Sequence, residues 1–210
     1  MSASSSQAKP PAADKTAATD RVLTVPNQLT LARVLLTIVL FVLIDYELYL
    51  AGLIVFIIAA STDWIDGYWA RKYGQVTVLG RIFDPFADKL IICGTFIYLA
   101  TIDQSGITAW MAVLVVGREL LVTAMRGHFE THGIDFSASQ AGKWKMLFQC
   151  IAAGMSLAYL EYHTVIAEHN AQWADWASTS LTVAVWVAIA STIYSGMGYI
   201  GAAIKLVRQA

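Results

Sequence analysis

Asp63, Asp66, Asp84 and Asp88 place four carboxylates within 26 residues of a chain that is 57% hydrophobic. The residues around them read Asp63-x-x-Asp66-Gly67-x-x-Ala70-Arg71, then eight residues, then Gly80-x-x-x-Asp84-x-x-x-Asp88. A carboxylate in a membrane-spanning segment costs roughly 3 kcal/mol, so it normally faces a cavity and marks a functional site. Four together at neutral pH repel one another unless cations compensate them. Oxygen ligands of this kind suit hard divalent ions, Mg²⁺ or Mn²⁺. The cluster therefore points to metal-dependent chemistry at a membrane surface.

The spacing assigns these groups to helix faces. Asp63, Asp66, Gly67 and Ala70 stand at i, i+3, i+4 and i+7, one stripe of a helix. Gly80, Asp84 and Asp88 stand at i, i+4 and i+8 and form a second stripe. At ~1.5 Å per residue, Asp63 lies ~12 Å from the level of Arg71, and Asp88 ~10 Å from that of Arg81. The chain must reverse between the two arginines, so the carboxylate pairs return to similar depth and can surround one or two ions. Gly67 and Ala70 leave room for a bulky group such as a nucleotide, or they serve close helix packing. Arg71 suits a diphosphate clamp, or a membrane-interface anchor.

The elements that must carry these stripes are membrane helices. Charged residues make up 14% of the chain, against about 25% in soluble domains. Net charge is −1, which argues against nucleic acid as a partner. Six hydrophobic segments, at approximately 27–44, 48–70, 82–102, 107–128, 143–161 and 175–204, each approach the ~20 residues needed to cross a bilayer. Turn signals separate them at Asp45-Tyr46-Glu47, at Asp103-Gln104-Ser105-Gly106 and between His163 and Gln172. All 14 Lys and Arg fall on, or nearest to, the side that carries both termini. The positive-inside rule then puts both termini and the aspartates in the cytoplasm. The expected fold is an all-α integral membrane protein of six transmembrane helices. Residues 1–20 read as a disordered cytoplasmic tail and 21–210 as one membrane domain. Cys93 and Cys150 lie in apolar runs and read as packing residues.

The aspartate pattern resembles the signature of the CDP-alcohol phosphotransferases, D-x2-D-G-x2-A-R-x8-G-x3-D-x3-D, and matches it at every position. The resemblance implies a CDP-linked donor whose diphosphate is bridged by Mg²⁺ or Mn²⁺, two ions being the expectation. It makes Asp63, Asp66, Asp84 and Asp88 the metal ligands and Asp88 also the catalytic base. Asp66, Gly67, Ala70, Arg71 and Gly80 would line the nucleotide and diphosphate site. A homodimer among membrane lipids is also implied.

A second set of cations bears on the acceptor. Gly117-Arg118-Glu119 and Arg126 put two arginines eight residues apart on one helix face, and Gly142-Lys143-Trp144-Lys145 opens the next segment from the same side. An arginine as deep as Arg118 needs water or an anion. Arg118, Arg126, Lys143 and Lys145 thus suggest an acceptor that carries a phosphate. Arg118 could instead pair with Glu119, and the lysines could be interface anchors. The wording Gly-Arg-Glu…Arg and Gly-Lys-x-Lys, with Pro26-Asn27-Gln28-Leu29-Thr30-x-x-Arg33, resembles the branch that joins CDP-diacylglycerol to glycerol 3-phosphate. Met146 departs from it, standing where that branch often has a hydroxyl residue. Asn27 is either a substrate contact or a helix cap. Rival readings are an inositol phosphate acceptor, an aspartate-rich prenyltransferase and a cation transporter with an acidic site.

Overall fold

The computed structural model describes residues 25–73, 78–131, 140–165 and 171–209. Among these, the chain forms six α-helices: α1 (Val25–Asp45), α2 (Tyr49–Tyr73), α3 (Val78–Leu99), α4 (Ala109–Thr131), α5 (Gln140–Val165) and α6 (Ala171–Gln209). Each coincides with one predicted segment, and most run past its apolar bounds. Backbone hydrogen bonding continues into polar flanks that hydropathy reads as loop, so α5 takes in His163, within a stretch expected to be a turn. The expected tail over residues 1–20 lies outside the described residues.

Pro26 sits at the start of α1, where its missing N–H has no helical partner to lose. The helix stops at Asp45 through a left-handed Glu47, φ 59°. Leu48 N–H bonds Leu43 O at 2.9 Å and Glu47 N–H bonds Ile44 O at 3.0 Å. That is the Schellman closure with glutamate in glycine's usual place. Positive φ at Gln104 and Gly106 likewise turns the chain between α3 and α4.

Helix α1 packs on α2 and α3, α2 on α5, α5 on α6, α6 on α4 and α4 on α3, closing a ring; α3 also touches α2 and α5. The contacts set the directions. Arg33 meets Asp88 and Phe41 meets Tyr98, so α1 and α3 run the same way. Trp110 meets Trp186, Arg118 meets Ser195 and Arg126 meets Tyr199, so α4 and α6 also run in parallel. At one end Glu161 of α5 accepts the Leu50 N–H of α2 at 3.0 Å, and Ser156 donates to Ser105 O at 2.7 Å. The start of α1 and the end of α6 lie at the other end.

The apolar interior centres on Leu40, Phe56, Phe96, Val115, Leu157 and Ile189. The rest of the pattern is inverted relative to a soluble protein. Arg33, Lys145, Gln149, Thr192 and Ser195 are buried, while Leu31, Ile38, Val113, Trp176 and Tyr194 are exposed. Among the described residues, one helical stretch, Asp175–Lys205, is long and apolar enough to cross a membrane on length and composition.

Candidate active site

The two halves of the aspartate motif are carried by α2 and α3, which contact each other. Since α2 follows α1 through a tight turn and α3 runs parallel to α1, α2 and α3 are antiparallel, as the spacing requires. Asp63, Asp66, Gly67, Ala70 and Arg71 occupy the last three turns of α2. Gly80, Asp84 and Asp88 occupy the first three turns of α3. Pro85 interrupts the hydrogen-bond ladder between the latter two aspartates, because it has no N–H to give. The side chains of Asp63, Asp66, Arg71 and Asp84 lie outside those described. Among the described side chains no group of three His, Cys, Asp or Glu converges.

Asp88 is described, and its partner comes from α1. Arg33 Nη1 donates to Asp88 Oδ1, with the arginine side chain 3% exposed and the aspartate 31%. A buried guanidinium thus holds one oxygen of a partly exposed carboxylate. Arg33 itself is set by the first turns of α1, where Thr37 Oγ1 donates back to Arg33 O at 2.8 Å. The four carboxylate positions lie on two touching helices, and carboxylate oxygens are the donor type a hard divalent ion takes.

The second cluster joins α4, α5 and α6. Arg118 Nη1 lies 3.0 Å from Glu119 Oε1, and Lys145 Nζ donates to that same oxygen. Arg118 Nη2 donates to Ser195 Oγ at 2.5 Å, and Arg126 Nη2 to Tyr199 Oη at 2.9 Å. The guanidinium carbons of Arg118 and Arg126 lie 5.4 and 5.8 Å from the centre of the Tyr199 ring. The Nε atoms of both arginines are buried and have no hydrogen-bond partner among the described residues. Two cationic donors in that state suit an anion. Helix α3 packs against both α4 and α5, which places this cluster beside the helix that carries Asp88.

The four cations expected at an acceptor site therefore separate. Arg118, Arg126 and Lys145 face inward, whereas Lys143 is exposed and stands apart from the cluster. Two residues on a helix cannot share a face at spacing i, i+2. The pairing of Arg118 with Glu119, first considered as an alternative to anion binding, is present. Asn27 falls within the first turn of α1, which begins at Val25, not in the capping position ahead of it; its side chain is outside those described. Ser195 and Tyr199 were missed in the sequence, as were Gln149 and Thr192, whose side chains bond at 2.9 Å. Their signal was present: Thr192, Ser195 and Tyr199 are polar groups at helical spacing inside an uncharged run.

A helical bundle with an aspartate stripe on two antiparallel helices and a buried cation cluster beside it defines the class. The CDP-alcohol phosphatidyltransferase family model matches residues 23–197, and the chain belongs to that family. It is 34% identical over 189 residues to the CDP-diacylglycerol–glycerol-3-phosphate 3-phosphatidyltransferase of Bacillus subtilis (strain 168), covering 83% of this chain and 92% of that one. The protein of the same name from Rickettsia typhi is 30% identical over 186 residues, 83% of this chain and 93% of its own. A chloroplastic/mitochondrial protein so named from Arabidopsis thaliana is 33% identical over 153 residues, 66% of this chain and 52% of its own.

Proposed function

We propose that this enzyme transfers the phosphatidyl group of CDP-diacylglycerol to glycerol 3-phosphate, giving phosphatidylglycerol phosphate and CMP. The observation that carries the choice of acceptor is the inward-facing set Arg118, Arg126 and Lys145, next to the helix of Asp88. Serine, choline or ethanolamine would not need three inward-facing cations, and choline would be repelled by them. The relatives' names agree with a phosphorylated acceptor.

Asp63, Asp66, Asp84 and Asp88 would hold Mg²⁺ or Mn²⁺, which neutralises the donor's diphosphate when bound. Gly67, Ala70 and Gly80 leave space for the nucleotide, and Arg71 meets the diphosphate. Arg118, Arg126 and Lys145 bind the acceptor's phosphate and so aim its hydroxyl toward α3. Asp88, oriented by Arg33, takes the proton from that hydroxyl. The oxygen forms a bond to the lipid-bearing phosphorus as the bond from that phosphorus to CMP breaks. Most of the acceleration comes from positioning the two substrates.

The exposed apolar belt and the buried charges favour six membrane crossings. Both chain ends and the site face the cytoplasm, and the enzyme works as a homodimer in the lipid bilayer.

The test is purified enzyme with CDP-diacylglycerol and a panel of alcohols, reading CMP release. Glycerol 3-phosphate should exceed every competitor, and unphosphorylated glycerol should fail. Faster turnover with inositol phosphate would keep the chemistry and change the acceptor. Preference for an uncharged alcohol would overturn the phosphate pocket.

A further inference from the structure

Three cations and one carboxylate meet between α4, α5 and α6, and the carboxylate has the central place. Glu119 accepts from Arg118 and from Lys145 on one oxygen, although the two cations belong to different helices. The three side chains are 9%, 5% and 12% exposed for Arg118, Lys145 and Glu119. Buried cations at this separation repel strongly without a counter-ion, and each held apart from water alone would be costly. Glu119 removes that repulsion and ties the two helices at one point. Arg118 is anchored from its other side by Ser195, itself 1% exposed. Arg126 adds a third cation through Tyr199. With Glu119 ionised, the cluster carries a net two positive charges, which matches a phosphate monoester dianion.

We propose that Glu119 is a positioning residue that sets both the spacing of Arg118 and Lys145 and the net charge of the pocket, so that the pocket holds a phosphate dianion without retaining it. This rests on the acceptor-pocket reading above. A carboxylate this close to a bound phosphate weakens its binding, and that is its use: the phosphate of the acceptor stays on the product, so a pocket one charge more positive would bind well and release slowly. Removing the charge while keeping the acceptor atom should therefore tighten anion binding. At an effective dielectric of ~20 and a separation of ~6–8 Å, one charge changes affinity roughly thirty- to a hundredfold for each unit of charge on the phosphate.

Inorganic phosphate is the probe, read as competitive inhibition against glycerol 3-phosphate at saturating metal. In Glu119→Gln its inhibition constant should fall at least tenfold, with KM for glycerol 3-phosphate and kcat falling together as product release slows. In Glu119→Asp, which keeps the charge but withdraws the oxygen by one methylene, phosphate should bind more weakly and KM for glycerol 3-phosphate should rise. KM for CDP-diacylglycerol should stay constant in both. An unchanged phosphate inhibition constant in Glu119→Gln overturns the role of Glu119 alone. Phosphate that fails to compete in the wild type overturns the acceptor pocket as well. Should Glu119→Gln not fold, Glu119→Asp decides, and an unchanged KM for glycerol 3-phosphate overturns the proposal.

Discussion

Phe41 of α1 lies across α3 where Gly94 has no side chain, so close that a Cβ at Gly94 would stand 2.1 Å from the ring's Cζ. The ring is held there by stacking on Tyr98, at 4.8 Å between centroids. This close approach lies along the same helix pair as Arg33 and Asp88, nearly two turns of α3 from the carboxylate. The packing of two apolar residues thus sets the distance over which an ion pair forms.

Gly94→Ala should therefore lower the thermal midpoint in detergent even though alanine is the better helix former by about 1 kcal/mol. Overpacking costs roughly 1–3 kcal/mol, and it outweighs the propensity gain because the ring is pinned from its far side. Adding Phe41→Leu should recover part of the loss. A midpoint equal to or above the wild type in Gly94→Ala would show that the helices slide apart freely.

Arg33→Gln should reduce kcat by about ten- to a hundredfold while changing KM for either substrate little, because it releases the carboxylate of Asp88 without touching a substrate. Arg33→Lys should restore part of the rate, as the charge remains but the planar fork is lost. An equal rise in both KM values, with kcat intact, would place Arg33 in substrate binding instead.

Asp63→Asn, Asp84→Asn and Asp88→Asn each remove a charge and almost no volume. Each should abolish CMP release and leave the thermal midpoint within a few degrees of the wild type. A chelator should silence the wild-type enzyme, and Mg²⁺ or Mn²⁺ should restore it. Full activity in chelator would remove metal from the reaction.

Lys145→Ala and Lys143→Ala should differ. Lys145 is buried on Glu119, so its loss should raise KM for glycerol 3-phosphate by roughly ten- to a hundredfold, equivalent to about 1.5–3 kcal/mol for a hydrogen bond to a charged group. Lys143 is exposed, and its loss should change that KM by less than about threefold. Equal effects would mean that both lysines reach the substrate.

The sequence by itself determined the helices and the chemistry. Apolar runs of about twenty residues set the six segments, because each must satisfy its own backbone hydrogen bonds. The aspartate spacing set two stripes, because helical periodicity is a local property. Even the turn at Asp45-Tyr46-Glu47 was legible, since polar residues between apolar runs leave few alternatives. What only the tertiary structure decided is which of the cations work together. Arg33 stands 55 residues from Asp88, and Arg118 stands 77 from Ser195, separations at which no periodic pattern carries information. Lys143 and Lys145 look equivalent in the chain, yet one faces outward and the other reaches Glu119, because the rotation of α5 against α2 and α6 buries only one of the two faces. Such rotation comes from the fit of side chains across several helices at once, a sum of many small contacts that no single segment contains.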